Sequence, residues 1–178
     1  MRYVFVFLFL FASLNAHAFS GQKTIYLEDK SHKKLAIATI SFEKAQAGYD
    51  YKITYQEELF GDFFLSMRPF RCYETKDLYC RQPYPYELTK TITETDFRSL
   101  EHDLLFIARK ANEYGIDPYN GRYYILQKTD HGLKGTVYGV DLNVIASPPE
   151  DNDMHPIKHD EIDEMEADSV QFPTLLIE

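Results

Sequence analysis

Apolar residues recur along the chain at two different periods, one of strands and one of a helix. Within residues 49–58, Tyr49, Tyr51, Ile53 and Tyr55 take one face while Asp50, Lys52, Thr54 and Gln56 take the other. That alternation predicts a strand with one wetted side. Residues 35–42 predict a strand before it, joined by a turn over 45–48, and residues 24–28 a further one. After Gly61, Phe63, Leu65 and Met67 alternate with Phe64, Ser66 and Arg68. Pro69 then marks a sheet edge or a bulge, since it has no N–H for the ladder. Residues 123–129 and 133–142 flank Asp130-His131-Gly132, a compact hairpin loop. The helical period belongs to Phe97, Leu100, Leu104, Ile107, Ala111 and Tyr114, which form one apolar stripe. Thr93 and Asp96 offer a cap at its start and Gly115 a stop. The predicted fold is α+β: a curved, mainly antiparallel sheet or partial barrel packed against one amphipathic helix.

The N-terminus reads as an address. Arg2 precedes an apolar run over residues 3–14, and Ala16-His17-Ala18 has the small-x-small form of a cleavage site. This predicts a signal peptide over residues 1–18, a run shorter than the roughly 20 residues that span a bilayer as a helix. The competing reading, a buried N-terminal element, has to pack Phe5, Phe7, Phe9 and Phe11 in a small core. No cysteine stands near the cleavage point to take a lipid, and no later segment is apolar enough to cross a membrane. The expected location is the periplasm or the exterior. Cys72 and Cys80, the only cysteines, then meet an oxidising compartment, which favours a structural disulfide clamping a hairpin. A redox pair is the alternative, although thioredoxin-type enzymes use C-x-x-C spacing.

Charge divides the chain. The formal net charge is −9, and residues 146–178 hold 10 acidic residues against Lys158 alone, so nearly all the acidity lies in the last fifth. A polybasic nucleic-acid binder is disfavoured by that sign. The expected organisation is a domain over residues 19–145 and an acidic C-terminal arm over 146–178. Pro148-Pro149 opens the arm, and residues 150–168 read as solvated chain or frayed helix. Val170, Phe172, Leu175, Leu176 and Ile177 give it an apolar end suited to docking on the body.

Motifs for chemistry are few. No G-x-S-x-G, H-E-x-x-H, P-loop or G-x-G-x-x-G pattern occurs, so no catalytic residue, cofactor or metal ligand is assigned. Glu101-His102-Asp103 lies off the helical stripe and is expected to face solvent, which weighs against His102 as a general base. His155 and His159 have the i, i+4 spacing of a helical metal pair, but a solvated acidic tail explains them better. Residues 60–86 are richer, with eight aromatics and three of the seven arginines beside the cysteines. Arg68, Phe70, Arg71, Tyr73, Arg81, Tyr84 and Tyr86 form the candidate binding surface, because arginine beside aromatics suits interfaces and anionic ligands. The plainer reading has Phe63, Leu65 and Met67 in the core and the arginines solvating the outside; a third has the arginines receiving the acidic tail.

The strings Phe64-Leu65-Ser66-Met67-Arg68-Pro69-Phe70-Arg71-Cys72, Tyr84-Pro85-Tyr86-Glu87, Asp103-Leu104-Leu105-Phe106 and Asn120-Gly121-Arg122-Tyr123-Tyr124 resemble those of a group of small exported proteobacterial proteins with no assigned function. The resemblance implies a Gram-negative periplasmic setting and no activity. The expected function is non-catalytic binding of a partner protein or small anionic ligand through the disulfide-clamped hairpin. An inhibitor or immunity type would meet a basic protein, since opposite charges speed encounter. The alternative is a periplasmic hydrolase or other enzyme with a dispersed site. N-terminal sequencing of exported protein is expected to begin at Phe19; a mature chain retaining residues 3–14 would instead be membrane-tethered, which overturns the soluble reading.

Overall fold

The computed structural model describes residues 19, 21–113, 115–148 and 154–178. The signal peptide, Tyr114 and the start of the acidic segment at Pro149 and Glu150 lie outside the described residues. In chain order the elements are β1 (Gly21–Glu28), β2 (Lys34–Ala45), β3 (Gly48–Tyr55), β4 (Gly61–Phe64), β5 (Pro69–Glu74), β6 (Asp77–Arg81), β7 (Thr91–Ile92), α1 (Arg98–Asp103), β8 (Phe106–Lys110), β9 (Gly121–Lys128), β10 (Leu133–Val140), β11 (Asp163–Glu164) and β12 (Thr174–Ile177). One antiparallel sheet runs β4-β5-β6-β8-β9-β10-β12-β1-β2-β3-β7, with β11 on β10. It is open, with β4 and β7 at its ends. The architecture is mainly β, with α1 its single helix among the described residues. None of the described helices is long and apolar enough to cross a membrane.

Alternation places the core. In β3, Tyr51 is buried while its neighbours Asp50 and Lys52 are exposed, as the pattern requires. Ile25 and Leu27 of β1, Ile40 of β2, Tyr79 of β6, Phe106 of β8, Tyr124 of β9 and Leu175 of β12 belong to one buried cluster, so the sheet bends around a shared interior. Gly48 turns β2 into β3 at φ +138°, where a Cβ would stand 2.1 Å from the Ile92 carbonyl oxygen. A second cluster lies on the other face of β8–β10: Leu105, Ile107, Tyr123 and Val140 pack against Leu142, Ile145 and Ile157.

The long helix is corrected. Helical structure stops at Asp103, and residues 106–110 are a strand. Both faces of that strand are covered, Phe106 by the main core and Ile107 by the second cluster. A strand buried on both sides carries no polar alternation, and β6 and β9 pair with it from either edge. The start signals stand close to where they were expected: Thr93 Oγ1 accepts from Asp96 N at 2.9 Å, and Asp96 Oδ1 from Arg98 N at 3.1 Å. Asp96 is held down to about 2 by its bonds to Arg98.

Cys72 and Cys80 face each other across β5 and β6 and form the disulfide. The acidic segment ends inside the sheet. β12 lies between β10 and β1, pairing Leu175 with Gly135 on one side and with Leu27 on the other. Leu175 and Ile177 point inward at 0% and 1% exposure, and Leu176 lies on the opposite face. In urea denaturation Leu175→Ala is expected to cost about 2–5 kcal/mol; Leu176→Ala should cost markedly less.

Candidate functional site

The arginines of the clamped hairpin are mostly engaged within the fold. Arg71 Nη1 donates to Asp62 Oδ1 at 3.0 Å, its Nη2 donates to the Glu57 carbonyl, and its Nε lies 3.3 Å from Glu57 Oε2. Arg81 Nη1 donates to Glu57 Oε1 at 2.8 Å, and its guanidinium stacks 3.5 Å over the Tyr55 ring. Arg81 first, then Arg71, holds the Glu57 carboxyl below its usual range. Both arginines thus tie the hairpin to the turn after β3 and not to the acidic segment. Tyr84 donates to the Met154 carbonyl at 2.5 Å and Tyr86 to that of Ile145 at 3.2 Å. Tyr73 packs on Phe172, and Phe70 is part of the hairpin's own cluster. Arg68 remains exposed at the tip of β4–β5, beside Phe64 at 69% and Met67 at 100% exposure. Met67 is therefore not core, because β4 ends at Phe64 before the alternation reaches it.

The helix face expected in water is inside. Glu101 and His102 are 1% and 0% exposed. Glu101 Oε1 accepts from Leu126 N at 2.8 Å; its Oε2 accepts from the Tyr123 hydroxyl at 2.6 Å and lies 2.7 Å from His159 Nε2. Burial, then the adjacent Glu101 carboxylate, pushes the Tyr123 phenol far up. His102 Nδ1 donates to the Arg98 carbonyl at 2.7 Å, and its Nε2 accepts from Ile157 N at 3.3 Å, which fixes the neutral tautomer. His155 packs on His102 with ring centroids 5.2 Å apart. So His155 and His159 are not adrift in a solvated tail: they lay the chain from residue 154 onward over α1. Among the described residues no group of three or more His, Cys, Asp or Glu is arranged to hold a metal ion. The cluster fastens the segment from residue 154 onward to α1.

The opening in the structure lies elsewhere. A cavity of about 560 Å³ is walled by β6, the end of β8, the following loop, the start of β9 and residues 169–171. Arg109 and Arg122 stand in its wall. Arg109 is 6% exposed; its Nη1 donates to the Gly115 carbonyl and its Nε to that of Lys110 at 3.4 Å, while Nη2 is buried with no partner. Arg122 Nη1 donates to the Gly121 carbonyl at 2.9 Å, and its Nε is likewise buried without a partner. Burial holds the Arg122 guanidinium below its usual value, opposed only by the Tyr79 and Tyr124 phenols. Tyr124 donates to the Phe172 carbonyl at 2.8 Å, so the 2.6 Å bond between the two phenols has Tyr79 as donor.

A second lobe of about 520 Å³ shares Asp77, Ser169, Val170 and Gln171 with the first and continues to Asp29, Lys30 and Ser31. Sequence reasoning missed both cavity arginines: Arg109 was absorbed by the long helix, and Arg122 stood out only within a shared string. An arginine on the inward side of a strand, two residues before a buried tyrosine, is the one signal that marked Arg122.

No protein-family model matches the sequence, and neither a curated protein nor a solved structure does.

Glu101→Ala strands the Leu126 N–H and the Tyr123 hydroxyl in the interior, and should lower the unfolding free energy by about 3 kcal/mol at 1–3 per orphaned group. His159, with 43% of its side chain exposed, should cost no more than about 1 kcal/mol as His159→Ala. Urea titration of the two variants separates them.

Proposed function

We propose that this chain is an exported, non-catalytic binding protein whose ligand is a small anion held in the cavity between β6, β8 and β9. The carrying observation is that two arginines, Arg109 and Arg122, are among the residues lining that cavity, and each has one buried guanidinium N–H without an acceptor, Arg109 Nη2 and Arg122 Nε. Each unmet buried donor costs about 1–3 kcal/mol, which an anionic oxygen would recover if a side-chain shift turned the donor toward it. Arg71 and Arg81 provide the contrast, since both already have carboxylates. Binding is favoured over hydrolysis because the titratable cluster that does form, around Glu101 and His102, is sealed beneath the segment from residue 154 onward. The export part of the reading rests on residues 1–18 and on the disulfide.

The exposed hairpin tip favours a second reading, a partner protein docking on Phe64, Met67 and Arg68 beside the edge strand β4. It is the form an inhibitor or immunity protein would take.

Thermal unfolding in the presence of acetate, succinate or inorganic phosphate tests the cavity. At about 100 times Kd a ligand adds roughly 2.7 kcal/mol to the folded state. Arg122→Ala and Arg109→Ala should each abolish the stabilisation, while Arg68→Ala leaves it intact. Equal stabilisation of wild type and Arg122→Ala would sink the proposal.

A further inference from the structure

Residues 154–162 cross α1 without joining the sheet. Among the described residues this segment makes no backbone–backbone hydrogen bond to the rest of the fold; the one it makes, from Glu161 N to the Lys158 carbonyl, is internal. Side chains hold it instead. Tyr84 donates to the Met154 carbonyl, Ile157 N donates to His102 Nε2 at 3.3 Å, and His159 Nε2 lies 2.7 Å from Glu101 Oε2. The Ile157 side chain, 2% exposed, is seated in the second cluster with Ile107 and Tyr123. Beyond the segment, Asp163 and Glu164 pair with β10.

His102 is fully buried, and its two ring nitrogens are committed in opposite senses. Nδ1 donates to the Arg98 carbonyl, so Nε2 has to be bare to accept from Ile157 N. A proton on Nε2 would set one N–H against another in the interior. The titratable groups around the ring are Glu101 on its own helix, Tyr123 on β9, Tyr84, and His155 and His159 on the segment, with Asp96 acting on His155. Acid pulls this cluster in two directions. Protonated His159 attracts the Glu101 carboxylate more strongly, but with 43% of its side chain exposed that gain is screened by solvent. Protonated His102 loses its acceptor role where burial gives no such screening, and this effect is the larger. The seated segment takes only the neutral ring, whereas a released imidazole takes up a proton as the pH falls below about 6.5. The fastening is therefore complete at neutral and alkaline pH and is lost on the acid side.

We propose that residues 154–162 form a strap that acid releases locally, with His102 as its trigger. The strap is independent of the anion cavity and stands or falls without it. Release lifts Ile157 out of the second cluster and uncovers Ile107 and Tyr123, while the sheet, hydrogen-bonded strand to strand, stays formed. Segments tied to a body by few backbone bonds are the ones that open without global unfolding.

Amide hydrogen exchange of the protein tests the strap, followed residue by residue by NMR at about pH 7.5 and 5.5, either side of the free imidazole value, and corrected for the intrinsic pH dependence of exchange. Protection of the Ile157 amide should fall roughly tenfold or more on acidification, while Leu126 and the β12 amides keep theirs. His102→Gln can offer Ile157 an acceptor and Arg98 a donor but takes up no proton, so the fall should shrink to less than about twofold. In His159→Gln the fall should be at least as large as in the wild type. Unchanged protection of Ile157 in the wild type, or a parallel fall at Leu126 and β12, overturns the strap. A full fall in His102→Gln, or its loss in His159→Gln, overturns His102 as the trigger. Should the Gln variant at 102 not fold, the wild-type ring resonances of His102 decide: their titration has to coincide with the loss of Ile157 protection, and a mismatch overturns the trigger as well.

Discussion

Four residues near the C-terminus hold the sheet together. Among the described residues β12 is the only strand hydrogen-bonded to both the block β1–β3 and β7 and the block β4–β6 and β8–β10, because β1 and β10 each pair with it and not with one another. Its inward residues, Leu175 and Ile177, lie in the main cluster between side chains from both blocks. Hydrophobic burial fixes the strand's facing, since a one-residue slip would turn Leu176 inward and both neighbours out. Everything else, including the wall of the cavity at residues 169–171, is positioned by where this strand lies. A further tie between the blocks is electrostatic: Arg81 reaches from β6 to stack on Tyr55 of β3 and to bond Glu57.

The arginines show two uses of one side chain. Arg71 and Arg81 share Glu57, and their partial exposure keeps the energetic gain of each pair modest. Arg109 is buried at 6% exposure, and neither it nor Arg122 has a carboxylate partner among the described residues; Arg109 Nη2, Arg122 Nε and also Arg71 Nε are buried donors without a hydrogen-bond partner. Arg109 spends its other donors on the Gly115 and Lys110 carbonyls, so it also holds the loop after β8. What separates Arg109 and Arg122 from the arginines of the hairpin is that both line the cavity and neither meets a carboxylate among the described residues.

How legible all this was depended on what each signal measures. A strand with one wet face writes itself into the sequence, as Tyr51 between Asp50 and Lys52 does, and β1, β2, β3, β9 and β10 stand close to where the pattern placed them. A strand buried on both faces does not, so the apolar run from Leu104 to Ile107 read as helix. Glu101 and His159 are 58 positions apart, and nothing local announces that a buried carboxylate awaits a distant histidine. The i, i+4 spacing of His155 and His159 drew notice to the right residues under the wrong chemistry. The cavity arginines were least legible of all, because lacking a carboxylate is a property of three-dimensional surroundings and has no sequence pattern.

The disulfide has a consequence for the order of events in folding. Cys72 and Cys80 are only 8 positions apart, on adjacent strands at the sheet's β4 end, far in topology from β12. Oxidation therefore needs only a local hairpin, whereas the complete sheet needs residue 177. Once the sheet has formed, both sulfur-bearing residues are 0% exposed. Thiol–disulfide exchange requires an attacking thiolate to reach a sulfur atom, so burial in the finished sheet closes this bond to the reaction. A small reducing thiol would have to wait for local opening, and its rate would report how often the hairpin breathes.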